Sequence, residues 1–304
     1  MRILVLGGGI SPERQVSLRS AKAVAEAGRQ AGFEILEADP ADGLDVLDNL
    51  KDTLVFPILH GKNGEDGVIQ KEIEARGLPY LGSDSAASIA CFDKWTTRLE
   101  LLQHGIPMAE AALVDEKSYK SHPLNNIHHA LKIVHGGSSI GTLIIRQDES
   151  QDEQAVSEIF AMEDKAVLEK LIEGTEITVP VLDGKALPVI EIVPPKDEEF
   201  DYDNKYNGRT QELAPAESIS QEIQAKARDL AEKVNAVMDA RHLSRVDMMI
   251  DKQGELFVLE INTMPGMTTG SLYPKAAAAA GLSMPELVKR FVSLVERDFK
   301  LEDR

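Results

Sequence analysis

The chain has 304 residues, room for two or three domains, and the composition of a globular protein that works in water. Its formal net charge of −18 excludes nucleic acid as a bulk electrostatic partner, so any anionic ligand must be drawn in by local basic residues. The single cysteine, Cys91, rules out an intrachain disulfide and fits a reducing compartment, and no apolar run approaches the roughly 20 residues of a membrane helix.

Met1-Arg2 leads directly into a strand-like run without a signal-peptide pattern, which makes the cytoplasm the expected compartment. Arg2–Leu6 reads as a short apolar strand, followed by Gly7-Gly8-Gly9-Ile10. Ser11 then suits a helix N-cap and Pro12 a first helical residue, with the helix expected to run to about Gln30 and a strand to follow around Phe33–Glu37. This β-loop-α-β order opens a parallel sheet. Gly7-x-Gly9 with Asp39 downstream hints at a dinucleotide fingerprint, but Pro12 stands at the third glycine position and leaves it incomplete. Glu13 is expected in the first helical turn, where a carboxylate complements the helix dipole and becomes functional only if it faces a ligand ammonium.

Thr53–Leu59 is a second apolar strand, and His60-Gly61-Lys62-Asn63-Gly64-Glu65-Asp66-Gly67 after it marks a shaped loop where open sheets bind ligands. A helix through about Ala75 follows, and Asp93-Lys94 is expected inside a helix within Leu81–Arg98. Leu131–Val134 is a strand carrying Lys132, and Leu143–Ile145 is its partner. The Gly136–Thr142 loop between them is rich in glycine and hydroxyls and suited to closing backbone N–H groups over phosphates. It is not a Walker A motif, because no Gly-Lys-Ser/Thr follows. Val167–Lys170 and Glu176–Leu182 read as strands, Asp201–Arg209 as a lid-like surface loop, and Ser218–Ala240 as an amphipathic helix.

Val246–Asp251 and Glu255–Asn262 flank the turn Lys252-Gln253-Gly254, so a β-hairpin is expected. Alternation puts Glu260 and Asn262 on one face with Leu256 and Val258, and Phe257, Leu259 and Ile261 on the other. Asp247 should lie roughly opposite Glu260. Two carboxylates side by side in an apolar setting call for a cation, and Asp, Glu and Asn oxygens suit Mg²⁺ better than zinc. Arg245, on the same face as Asp247, either balances those charges or meets an anionic substrate. Pro265–Ser271 supplies backbone N–H groups and hydroxyls for an oxyanion or carboxylate. A short helix over Pro274–Ala280 and a terminal helix opened by the capping box Ser283-x-x-Glu286 complete the chain.

These stretches together resemble the D-alanine–D-alanine ligases of the ATP-grasp superfamily. The resemblance runs nearly end to end, through GGGISPERQVSL, HGKNGEDG, PYLGSDSAASIACFDK, KIVHGGSSIGT, EKLIEGTEITV, DYDNKY, RVDMMID and LEINTMPGMTTGSLYPK. It implies an α/β architecture: an N-terminal Rossmann-like open parallel sheet over 1–90, a small central α+β domain over 91–168, and a C-terminal α+β domain over 169–304 with the metal site and lid loop. It further implies a homodimer, ATP and two Mg²⁺ (or Mn²⁺) as cofactors, and ligation of two D-alanines through a D-alanyl phosphate.

The same resemblance assigns Asp247, Glu260 and Asn262 to magnesium, and Lys94 and Lys132 to nucleotide phosphates. Glu169, Ile172 and Glu176 go to the adenine and ribose. Glu13 would hold the first D-alanine's ammonium, with His60 nearby, and Ser138 and Tyr206 would join Glu13 in closing the lid. Arg245 and the Gly266 N–H would form the oxyanion hole, and Lys205 and Ser271 would grip the second D-alanine. Ile133 departs from the proline common in the family at that position. A D-lactate-using or otherwise altered carboxylate–amine ligase, a nucleotide-binding regulatory protein and a dinucleotide oxidoreductase are the competing readings.

Overall fold

The structure is a computed structural model that describes residues 1–137, 141–147, 152–194 and 210–301. Three sheets lie in chain order. The first is parallel, β2-β1-β3, built from β1 (Arg2–Leu6), β2 (Glu34–Ala38) and β3 (Thr53–Pro57), with α1 (Arg14–Gln30) crossing between the first two. The helices α2 (Val68–Glu74), α3 (Ser85–Phe92) and α4 (Lys94–Gln103) follow. The second sheet is antiparallel, in the order β4-β7-β5-β6. It comprises β4 (Ala111–Val114), β5 (His129–Ile133), β6 (Thr142–Ile145) and β7 (Ala166–Lys170), with α5 (Glu116–Ser121) and α6 (Glu153–Met162) between strands.

The third sheet is also antiparallel, β11-β10-β8-β12-β13. Its strands are β8 (Gly174–Leu182), β9 (Lys185–Ala186), which pairs with β8 at the side, β10 (Ile190–Val193), β11 (Gln211–Leu213), β12 (Leu243–Asp251) and β13 (Leu256–Asn262). α7 (Gln221–Val237) covers its back, and α8 (Leu272–Ala279) and α9 (Met284–Asp298) end the described chain.

The packing explains the order. Ile3, Val5 and Phe56 on one face of the first sheet pack with Val24 of α1 and with Leu287, Phe291 and Val295 of α9, so the last helix returns to the first sheet. Burying each large side chain there contributes about 1.5–3 kcal/mol, and Phe56 meets Phe291 edge-on at 6.4 Å. In the third sheet Ile177, Val179, Val181, Val246 and Met248 bury against Ala227, Ala231 and Val234 of α7. The alternate positions on β8 and β12 are thereby turned the other way, towards the second sheet.

Three expectations are corrected. α1 begins at Arg14, with Glu13 as its N-cap; the Ser11 hydroxyl is occupied elsewhere, accepting from the Glu13 N–H at 3.2 Å and donating to the His60 carbonyl at 2.7 Å. Asp93 and Lys94 stand at a break between two helices, where Asp93 ends α3 and caps α4 by accepting from the Thr96 N–H at 2.8 Å. The third correction is a β-bulge. Asp247 pairs with Glu260 and Met248 with Val258, leaving Leu259 as the extra residue. Alternation therefore slips by one: Leu256, Val258 and Ile261 all face the α7 core, while Leu259 and Glu260 line the opposite cleft.

Candidate active site

The cleft faces of the second and third sheets oppose each other around a cavity of about 140 Å³. Lys132 of β5, Thr142 and Ile144 of β6, and Glu169 of β7 come from one side. Glu176, Asp247, Met249, Leu259 and Glu260 come from the other, and Leu171 and Ile172 join the two. A smaller extension, sharing Lys94, Gly137 and Glu260, reaches Glu65 and Asn262.

Strand register sets the polar rows. Thr178, Asp247 and Glu260 lie side by side across β8, β12 and β13, and Pro180, Arg245 and Asn262 form the next row. Arg245 grips Asp247 through two bonds, Nε to Oδ1 at 2.8 Å and Nη2 to Oδ2 at 2.7 Å, and the Thr178 hydroxyl donates to Oδ1. Burial works against the Arg245 charge, but Asp247, Glu260 and Glu65 outweigh it and hold the guanidinium firmly protonated. Lys94, the first residue of α4, reaches the Gly136 carbonyl and stands 3.4 Å from Glu260 Oε2. Lys132 donates to Glu169 Oε1 at 3.0 Å; burial opposes its charge, yet Glu169, Glu260 and Glu176 raise it above the ordinary lysine range. Asn262 Oδ1 accepts from the Met264 N–H at 3.0 Å and keeps a second lone pair.

Glu13 is buried, and its carboxylate rests on the 60s loop: a Cβ at Gly61 would lie 2.6 Å from Oε2, and one at Gly137 would lie 3.7 Å away. Glu65 is one residue that reading the sequence missed, and Thr178 is another. Glu65 is buried, accepts from the Gly61 N–H at 2.7 Å, and is pushed up to about 8 by burial first and by the Glu13 charge second. Its only sequence signal was its place in HGKNGEDG. His60 is also buried, with both ring nitrogens engaged by the protein, and burial depresses it to about 4. Gly266 and Ser271 share one tight loop, in which Ser271 Oγ accepts from the Thr268 N–H at 3.1 Å. Ser138, Lys205 and Tyr206 lie outside the described residues.

The donor set fits a hard divalent cation. Asp247, Glu260 and Asn262 offer carboxylate and amide oxygens only, on adjacent positions of one hairpin. Around them Glu13, Glu169 and Glu176, added to Asp247 and Glu260, leave carboxylates in excess over Lys94, Lys132 and Arg245, a deficit of positive charge that a bound cation would fill. Among the described residues no group of three or more His, Cys, Asp and Glu has metal-binding geometry, and the trio here owes its third donor to an amide.

The dinucleotide alternative loses its ribose acid, because Asp39 is already engaged within the protein. Asp39 accepts from the Gly9 N–H at 2.8 Å and pairs with Arg14. A Cβ at Gly8 would lie 2.3 Å from Asp39 Oδ2, so this carboxylate packs directly against the glycine turn.

The chain matches two family profiles, described as D-ala D-ala ligase N-terminus over residues 37–83 and D-ala D-ala ligase C-terminus over residues 101–293. It is 38% identical over 296 residues to the D-alanine–D-alanine ligase of Syntrophotalea carbinolica, covering 96% of this chain and 95% of that one. The crystal structure of the D-alanine–D-alanine ligase from Bacillus anthracis superposes with a TM-score of 0.84 at 32% identity, over 99% of both chains. The structure of that ligase complexed with ATP superposes at 0.82 with 30% identity, again over 99% of both. Among the described residues no helix is long and apolar enough to cross a membrane.

Proposed function

The chain belongs to the D-alanine–D-alanine ligase family, of ATP-grasp fold, and we propose that the cleft between its two antiparallel sheets divides the work of that reaction as follows. The enzyme joins two D-alanines to D-alanyl-D-alanine at the expense of ATP, a step of peptidoglycan precursor synthesis. The observation that carries the site assignment is the in-register Asp247–Glu260 pair facing Lys94 and Lys132 across one cavity.

The adenine lies in the apolar part of the cavity, between Ile144, Leu171 and Ile172 and the side chains of Met249 and Leu259, with Glu169 and Glu176 at its polar edges. Lys94 and Lys132 meet the phosphates. Asp247, Glu260 and Asn262 would hold magnesium, which when bound would supply charge neutralisation and alignment for the transferring phosphoryl group.

The first D-alanine places its ammonium against Glu13 and its carboxylate towards the γ-phosphate. A carboxylate oxygen takes the phosphoryl group, giving D-alanyl phosphate and ADP. The amine of the second D-alanine, held by Lys205 and Ser271, then attacks the acyl carbon and phosphate leaves. Arg245 and the Gly266 N–H stabilise the oxyanion formed on the way. Glu13, Ser138 and Tyr206 hold the lid closed, which keeps water from the acyl phosphate.

We place the reaction in the cytoplasm, where ATP is supplied. We further take the active species to be a homodimer, as the family resemblance implies. The test feeds purified enzyme ATP, magnesium and either D-alanine alone or D-alanine with D-lactate. The expected outcome is dipeptide and stoichiometric phosphate with D-alanine alone. Depsipeptide without dipeptide, or ATP hydrolysis without either product, overturns the reading.

A further inference from the structure

We propose that Ser20 and His60 are positioning residues that aim the Gly266 N–H at the oxyanion. The proposal rests on the reading of Gly266 given above and extends it to two side chains on other elements. Pro265 has no N–H and Gly266 no side chain, so this dipeptide cannot fix its own orientation. Its neighbours do so. The Met264 N–H is held by Asn262 Oδ1 at 3.0 Å, and the Met264 carbonyl accepts from His60 Nδ1–H at 3.1 Å. On the far side, the Met267 N–H donates to Ser20 Oγ at 3.1 Å.

The two halves are joined: His60 Nε2 lies 3.2 Å from Ser20 Oγ. A carbonyl only accepts, so Nδ1 carries the proton, Nε2 is the acceptor, and the Ser20 hydroxyl donates to it. One directed chain of hydrogen bonds thus runs from the Met267 amide through Ser20 and His60 to the Met264 carbonyl, bracketing Pro265-Gly266. Ser20 is fully buried in α1, His60 is 5% exposed, and Met264 and Met267 are buried. Burial also keeps the imidazole neutral in this single tautomer at working pH. An oxyanion donor acts by being held in place before charge develops, and losing one donor's alignment costs about 10²–10³ in rate. A serine within a helix has no such partner to seek for the helix's own sake, since its hydroxyl ordinarily turns back to the preceding turn.

The experiment separates the two half-reactions. Positional isotope exchange in ATP with D-alanine reports acyl phosphate formation, and dipeptide release reports ligation. Ser20→Ala is expected to raise the ratio of exchange to ligation about tenfold or more. His60→Asn, which keeps a donor for Met264 but drops Ser20, is expected to raise it less, and the double variant is expected to do no worse than Ser20→Ala alone because the pair acts as one unit. Parallel loss of exchange and ligation in both single variants, tracking a fall in thermal stability, would mean a merely structural role and overturns the proposal. So does an unchanged ratio in both. Wild-type protein that gives neither exchange nor dipeptide sinks the parent reading as well; wild-type protein that gives both confines the failure to this inference.

Discussion

Thr178 reaches Asp247 from the neighbouring strand, in the same row as Glu260, and is itself 2% exposed. Its hydroxyl and the Arg245 fork occupy part of each Asp247 oxygen and so decide which lone pairs remain for a cation. Replacing Thr178 with Val keeps the shape and removes the donor. Affinity for Mn²⁺ as a magnesium stand-in, titrated by electron paramagnetic resonance, should weaken about tenfold, and Thr178→Ser should retain it. An unaltered titration curve for the valine variant contradicts the role. At Glu260 the expected effect is on turnover: Glu260→Gln conserves volume but removes the negative charge that would hold a cation worth several kcal/mol to the transferring phosphoryl group, so kcat should fall about 100-fold or more with the fold intact by circular dichroism. Near-wild-type rates at saturating magnesium would refute the metal assignment. Arg245 and Asp247 were legible as neighbours from their spacing alone. Thr178 was not, because nothing local says which residue a distant strand will set beside them.

At the scale of elements, the break between α3 and α4 and the bulge at Leu259 both reposition site residues. Asp93 caps α4, which puts Lys94 at its first position, with its ammonium beside Gly136 and Glu260. Asp93→Ala should cost about 1 kcal/mol and lower the melting temperature by about 2–3 °C, with a raised KM for ATP as Lys94 loses its fixed origin. A melting shift without any change in KM would show that the cap serves stability alone. The sequence put Asp93-Lys94 inside a helix within Leu81–Arg98 because no glycine or proline stands between Ser83 and Arg98 to interrupt it. The hairpin's existence and its Asp247–Glu260 pairing were likewise readable from the turn and the strand lengths. Its facing was not: a bulge adds a residue without a compositional mark when both faces are apolar, so alternation carried past Leu259 puts Leu256 and Val258 on the wrong side.

Across the whole molecule, a latch ties the first sheet's loops to the end of the chain. Arg241 stacks over Tyr80 and Phe299 at 4.8 and 5.1 Å and donates to the Gly82 carbonyl at 2.9 Å. The adjacent His242 accepts from the Gly82 N–H at 3.1 Å through Nδ1 and donates to Asp298 Oδ2 at 3.0 Å through Nε2. Burial, reinforced by Arg241, depresses His242 from 6.5 to about 4. Its folded value lies below the unfolded one, so its contribution is fully present above pH 6.5 and is lost as pH falls towards about 4, because only the unfolded chain takes up the proton. The full effect is on the order of 3 kcal/mol. His242→Asn tolerates the positive φ of 67° and keeps an acceptor for Gly82, so the loss of urea stability between pH 7 and pH 5 should shrink in that variant. An identical loss in both proteins would remove His242 as its cause. By itself the sequence determined the opening β-loop-α-β unit, the acidic hairpin, the glycine-bearing loops and the family, because these are written in periodicity, turn residues and contiguous motifs. Only the tertiary structure decided that α9 returns to the first sheet, that two sheets close one cavity around the carboxylates, and that Ser20 meets a backbone amide 247 residues away. Such contacts are set by which buried faces find each other once the chain has closed its long loops, and no local pattern encodes them.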